Sequence, residues 1–254
     1  MKHNITLILF VVVVIISSYF LVESPYLIGT IVILVLVLFV VIVLGVSFIQ
    51  FNYFVKSINK GDNKEISFTF DDGPNPETTP QVLAILACEN IKATFFVIGH
   101  QLEENKALLL KIHNEGHTIG NHSYCHTKKL TLFSTIHLMN DIEKCSVAIE
   151  KIIHHKPLLF RPPFGITTPR YQRALKHLDM KSIGWNIRSF DTIAKNKKAL
   201  YKKITRKISD GSIILFHDTQ QITVDVLPEI IQFCKTNGIT IVPLPELINT
   251  RAYA

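Results

Sequence analysis

The sequence predicts a parallel α/β domain behind an apolar helical hairpin, on three observations. Among the first 55 of 254 residues, Lys2 and Glu23 are the only Lys, Arg, Asp or Glu. The remainder alternates short β-branched or aromatic runs with helix-length amphipathic ones. Acids and histidines recur where the apolar runs stop, as at the carboxyl ends of strands in parallel sheets. Composition agrees with the split. Mean hydropathy is +0.28, which excludes a disordered tail, and 19% charged residues is low for a purely soluble chain.

Residues 5–22 and 27–49 are apolar almost throughout. At about 1.5 Å per residue each is long enough to cross roughly 30 Å of hydrocarbon. Between them, Pro25 cannot continue a helix and Glu23 is costly inside lipid. Residues 1–55 are therefore expected to form a transmembrane hairpin in the lipid bilayer. A cleaved signal peptide fits less well, because its apolar core is normally shorter and no A-x-A-like site follows. Lys2, Lys56, Lys60 and Lys64 flank the hairpin while its turn carries an acid, so the positive-inside bias places both ends in the cytoplasm. Cys88, Cys125, Cys145 and Cys234 form no C-x-x-C pair and demand no oxidising compartment.

After a joint at 57–63, the pattern from 64 to 254 reads as one domain. Strands are expected at 65–70, 93–98, 118–121, 158–161, 181–185, 212–216 and 240–242. Helices are expected at 78–90, up to about 114, and at 134–154, 169–177, 197–209 and 224–236. Seven strands separated by helices imply a parallel sheet, open or barrel-like.

Five constellations carry chemistry. Thr69-Phe70-Asp71-Asp72-Gly73-Pro74 places two carboxylates where a strand stops. Adjacent carboxylates repel unless a cation or proton separates their roles, so one suits a metal and the other a base. His122-Ser123-Tyr124-Cys125-His126 offers two imidazoles four apart, in a helical turn or a tight loop, with Cys125 more suited to packing than to ligation. Arg161-Pro162-Pro163-Phe164-Gly165 presents a guanidinium fork on a stiffened backbone. Asp191 and His217 each follow an apolar run. Taken singly, each has a plain reading as a solvated turn or a structural histidine. One Asp with two His, however, makes a metal set with positions left for water and substrate.

In this order the motifs closely resemble the polysaccharide deacetylase family, the NodB-homology group or carbohydrate esterase family four, over about residues 64–248. The resemblance implies a distorted (β/α) barrel of about seven parallel strands. It implies a divalent metal, zinc foremost, held by Asp72, His122 and His126. Asp71 is then the general base oriented by Arg161, and His217 the general acid tuned by Asp191. The Phe164 N–H belongs to the oxyanion hole, and Leu215 lines the acyl pocket. One position departs: Thr192 stands where many members have Trp, and Trp185, the only Trp, lies on the preceding strand. The implied reaction is removal of N-acyl groups from amino sugars of a glycan such as peptidoglycan or chitin. Alternatives are a deacetylase or deformylase of a lipid-linked, polyprenyl-phosphate amino sugar, an O-deacetylase, or a non-catalytic membrane scaffold. The scaffold fits poorly, since every expected ligand and base is present.

Lys195, Lys197, Lys198, Lys202, Lys203, Arg206 and Lys207 crowd one window. This reads as a solvated helix face, or as a contact for anionic headgroups or a phosphate-bearing substrate. No nucleic-acid motif accompanies it, and no nucleic-acid partner is expected.

Overall fold

The structure, a computed structural model, describes residues 2–254. Helices α1 (Lys2–Leu21) and α2 (Leu27–Ser47) come first. The sheet that follows comprises β1 (Ser57–Ile58), β2 (Ser67–Asp71), β3 (Thr94–Val97), β4 (Thr118–Asn121), β5 (Leu159–Phe160), β6 (Lys181–Ile183), β7 (Ile187–Arg188) and β8 (Ile213–His217). Helices α3 (Thr79–Cys88), α4 (Lys106–Asn114), α5 (Thr135–Ile153), α6 (Pro169–His177), α7 (Lys197–Thr205), α8 (Gln221–Thr236) and α9 (Leu244–Leu247) occupy the connections. Strand order is β1-β6-β5-β4-β3-β2-β8-β7, with every neighbouring pair parallel.

This sheet is curled. β6 and β7 lie towards opposite ends of the order, yet only residues 184–186 join them. A connection that short forces the two ends together. Polar contacts hold them there: the Asn186 N–H donates to Ile213 O, the Ile213 N–H donates to Asn186 Oδ1, and Lys60 bridges Ser212. The result is an eight-stranded half-barrel, the distorted barrel of about seven parallel strands expected from the sequence.

Three local readings need correction. The run at 181–185 is not one strand: β6 ends before Gly184, and the chain resumes as β7 beside β8. The run at 240–242 makes only a single bridge, Ile66 to Ile241, because Pro243 follows and has no N–H to extend a ladder. Residues 57–58, read as part of a joint, form β1 against β6.

Alternation of side chains decides what faces inward. Phe68 and Phe70 of β2 and Phe216 of β8 point to the helix layer, where Phe70 lies between Phe95 at 4.9 Å and Phe216 at 5.7 Å. Their neighbours Thr69, Asp71, Leu215 and His217 therefore face the inside of the curl. Burying each Phe contributes about 1.5–3 kcal/mol. A slip of one residue would expel these rings and turn the carboxylate and imidazole outward. The four cysteines are free thiols.

Both leading helices are long and apolar enough to cross a membrane. Gly45 is their only buried residue; a Cβ there would meet the Tyr53 ring at 2.3 Å. The end of α2 docks on the domain. Val41, Ile42 and Val46 pack against a cluster containing Tyr53, Phe54, Leu130 and Tyr171, and the Thr167 N–H donates to Val46 O. Just beyond, Ile49 is buried with Ile183 and Trp185, and Gln50 Nε2 donates to Trp185 O. Leu130 and Thr167 belong to the loops that leave the carboxyl ends of β4 and β5.

Candidate metal centre and active site

Asp71 is the last residue of β2, and its carboxylate is buried. Its Oδ1 accepts from Arg161 Nη1 at 2.8 Å. Arg161 is itself fully buried: Nη1 also reaches Thr69 Oγ1, Nη2 donates to Gly184 O, and the guanidinium lies 4.1 Å from the centre of the Phe96 ring. A buried ion pair is tolerable when further hydrogen bonds satisfy its members, as they do both terminal nitrogens of Arg161; its Nε alone has no partner among the described residues.

The chain then turns at Asp72, whose φ of 72° is a left-handed value that Asp accepts more readily than bulkier residues. This throws Asp72 away from Asp71 and towards the histidines. Asp72 Oδ1 lies 3.4 Å from His122 Nε2 and 3.2 Å from His126 Nε2, and the three ligand atoms are all within 4.8 Å of one another. Ligands 2.0–2.2 Å from a tetrahedral ion stand roughly 3.3–3.6 Å apart, so the donor set fits a divalent cation. The tautomer agrees as well. His122 Nδ1 faces Arg161 O at 2.8 Å and so carries the proton, leaving the Nε2 lone pair for a metal.

The two histidines are presented by a tight loop, not a helical turn. Ser123 and His126 both have positive φ, and Ser123 Oγ accepts the His126 N–H. Asn121 Oδ1 accepts the Ser123 N–H, while Asp141 of α5 accepts the N–H groups of Tyr124 and Cys125 at 2.9 and 3.1 Å. Burial pushes the Cys125 thiol up to about 11, consistent with packing rather than ligation.

His217 ends β8, with Nδ1 2.7 Å from Asp191 Oδ1. Asp191 Oδ2 accepts the His217 N–H and the Thr223 hydroxyl. Burial opposes charge on both partners, but their mutual hydrogen bond and attraction outweigh it, holding His217 above and Asp191 below its ordinary value. His217 Nε2 is left facing Asp72, at 3.8 Å. Burial also works to raise Asp72, and the surrounding imidazoles overcome it, keeping that carboxyl well below the usual range. His126 is pushed down to about 4, first by burial and then by His122.

These groups surround a cavity of about 40 Å³ lined by Asp71, Asp72, His122, His126, His217 and Leu215, with Phe164, Gly165, Trp185 and Arg188 completing it. Phe164 is held at φ 61°, its ring 4.8 Å from that of His126. The structure thus brings all nine residues singled out in the sequence to one place. It removes Thr192 from the wall, where Trp185 stands instead; Thr192 is exposed and bonds only through its N–H to Asp191.

Sequence reasoning missed the supports: Asn121, Asp141, Thr223 and Asp218. Asp141 left a faint signal as an acid beside the apolar stripe of α5. Asp218 left another, as an acid directly after a strand. Its Oδ2 accepts from Thr79 Oγ1, its Oδ1 has no partner among the described residues, and burial pushes its carboxyl up to about 7. It also explains Gly73, where a Cβ would lie 2.1 Å from Asp218 Oδ2.

A curled parallel sheet thus carries an Asp-His-His cluster at its strand ends, flanked by an Arg-fixed carboxylate and an Asp-fixed imidazole. A family model for polysaccharide deacetylase matches residues 58–183. The chain is 34% identical to a peptidoglycan-N-acetylglucosamine deacetylase of Listeria monocytogenes over 185 residues, 73% of this chain and 39% of that one. It is 35% identical to a peptidoglycan-N-acetylmuramic acid deacetylase of Bacillus subtilis over 171 residues, 67% of this chain and 36% of that one. Both curated relatives are thus much longer, and the chain spans under two fifths of their length. The crystal structure of the Bc1960 peptidoglycan N-acetylglucosamine deacetylase superposes with a TM-score of 0.74 at 31% identity, covering 77% of this chain and 94% of that one. The chain belongs to the polysaccharide deacetylase family.

Proposed function

We propose that this chain is a zinc-dependent N-deacetylase acting on amino sugars of a glycan such as peptidoglycan, with residues 64–254 as its catalytic domain and residues 1–55 as its membrane anchor. One observation carries the reading: the Asp72, His122 and His126 donors lie between a base candidate on one flank and an acid candidate on the other. The two named relatives supply the substrate class.

When bound to Asp72, His122 and His126, a divalent cation supplies Lewis acidity to an acyl carbonyl and lowers the pKa of water from about 15.7 towards 7. Asp71, fixed through Oδ1 by Arg161, takes the proton of the attacking water with Oδ2. The Phe164 N–H receives the developing oxyanion, a type of contact worth about 3–4 kcal/mol per donor. His217 enters as imidazolium, kept so by Asp191, and gives its Nε2 proton to the departing amine as the C–N bond breaks. Leu215 and Trp185 enclose the acyl methyl. A cavity of about 40 Å³ is small, which suits an acyl group as small as acetyl and leaves the sugar outside.

A second reading, a lipid-linked amino sugar, is favoured by the docking of α2 on loops that frame this cavity. In this reading the mouth lies near the membrane surface, on the cytoplasmic side by the lysine bias. The test is acetate release by the full-length protein from N-acetylglucosamine oligomers and from polyprenyl-phosphate sugars, with and without chelator. Chelator-sensitive release from either is expected, and the responding substrate selects between the readings. No release from any N-acylated sugar by zinc-loaded protein would overturn both. A reporter fused after Ala254 decides the side of the membrane.

A further inference from the structure

Arg188 is the only Lys or Arg in the cavity lining, and nothing pairs with it. Among the described residues its side chain makes no hydrogen bond, no carboxylate comes within 4.0 Å, and its Nε is buried without a partner. Arg161 shares the unpartnered Nε but differs at its fork: one terminal nitrogen holds Asp71 and Thr69, and the other holds Gly184 O. Only Nε of Arg188 is buried; its terminal nitrogens reach solvent and hold no protein acceptor, so the fork is free to take one from a ligand in the cavity.

The surroundings favour an anion. Arg188 ends β7, in register with Leu215, with its guanidinium 5.0 Å from the centre of the Phe190 ring and 5.9 Å from that of Trp185. Lys203 of α7 places its Nζ 3.7 Å from the centre of the same Phe190 ring, so the basic window of the sequence comes within one ring of Arg188. Phe190 is held at φ 62°, a left-handed value that is an outlier for an aromatic residue. It directly precedes Asp191, the partner of His217. Each nearby carboxylate is already engaged: Asp71 by Arg161, Asp191 by His217 and Asp72 by the histidines. The charge of Arg188 is left uncompensated.

We infer that Arg188, assisted by Lys203, forms a subsite for an anionic group, phosphate or carboxylate, carried by the amino-sugar substrate next to its N-acyl group. The inference rests on the deacetylase reading and adds a selectivity to it. A planar fork suits two oxygens of either anion.

The test uses full-length, zinc-loaded protein in detergent. Acetate release is compared for a neutral N-acetylglucosamine oligomer, a saccharide containing N-acetylmuramic acid, and a polyprenyl-phosphate-linked N-acetylglucosamine. In Arg188→Met the ratio of kcat/KM for anionic over neutral substrate is expected to fall about tenfold or more for one anionic substrate, with partial recovery in Arg188→Lys. The substrate affected identifies the anion as carboxylate or phosphate. Ratios unchanged for both would overturn the inference. A binding readout separates this failure from failure of the deacetylase reading. Trp185, the only Trp, stands beside Arg188 and reports a titration with methyl phosphate by its fluorescence. A saturable change in the wild type, weakened about tenfold in Arg188→Met, is expected. Equal titrations would overturn the subsite. An Arg188-dependent titration in protein that releases no acetate would retain the subsite and discard the deacetylase reading.

Discussion

At the strand-end floor of the cavity the charged groups are matched: Asp71 with Arg161, His217 with Asp191, and Asp72 with two imidazoles. The rim is built differently. Phe164 is more than a third exposed, Trp185 hangs in the bend between β6 and β7, and Arg188 holds a guanidinium with no acceptor among the described residues. The floor is fixed before any substrate arrives, as preorganised electrostatic catalysis requires. The rim has unspent interactions, which is what selection among substrates uses. Under the proposed function, the difference fits a division in which the floor sets the reaction type and the rim the substrate choice.

The largest expected effect tests the floor. Asp72→Ala or His122→Ala should abolish stoichiometric zinc, measured by elemental analysis after dialysis, and bring acetate release to background. Full zinc occupancy with full activity in either variant would show that these residues are not ligands. Next come Asp71→Ala and His217→Ala, each expected to cut kcat by about 100-fold or more, with the ion retained in His217→Ala. Asp191→Asn should fall in the same range, because Asn leaves His217 without the acceptor that fixes its tautomer. Rim substitutions, by contrast, should move selectivity more than kcat. A floor variant that shifts only selectivity would erase the distinction.

The floor was readable in the sequence for a physical reason. In Thr69-Phe70-Asp71 and Leu215-Phe216-His217 the strand period sends Phe to the helix layer and the polar residue inward; that fixes their direction, while their roles are implied by the family resemblance. The supports were not readable, because their partners are distant in sequence. Asp141 steadies a loop 16 and 17 residues before it, and Thr223 reaches Asp191 across 32. Nothing in either neighbourhood announces the contact. β1 was hidden likewise: a two-residue strand whose partner Ser182 lies 125 residues away has no periodicity to detect. Trp185 was misplaced onto a strand because its apolar run continues through Gly184, where the chain leaves one end of the sheet for the other.

The smallest expected effect on turnover, and a distinct one on stability, belongs to Asp218 beneath the floor. Asp218 does not line the cavity; its carboxyl packs against Gly73 and accepts from Thr79. Burial raises it from 3.8 to about 7 in the folded chain. The folded state therefore holds one more proton than the unfolded state between these values. Its contribution to stability is complete below pH 3.8 and is lost as pH rises through about 7. Across that window the loss approaches about 1.4 kcal/mol per pH unit for one fully linked proton. Asp218→Asn, neutral at every pH, should remove this slope, so that denaturant midpoints of the variant exceed those of the wild type at pH 8 and converge with them near pH 4. Its kcat should change by less than about threefold, since the acid acts only through the turn at Gly73. Parallel stability curves for the two proteins would show that Asp218 is not the buried acid responsible, and a large loss of kcat would move it into the floor.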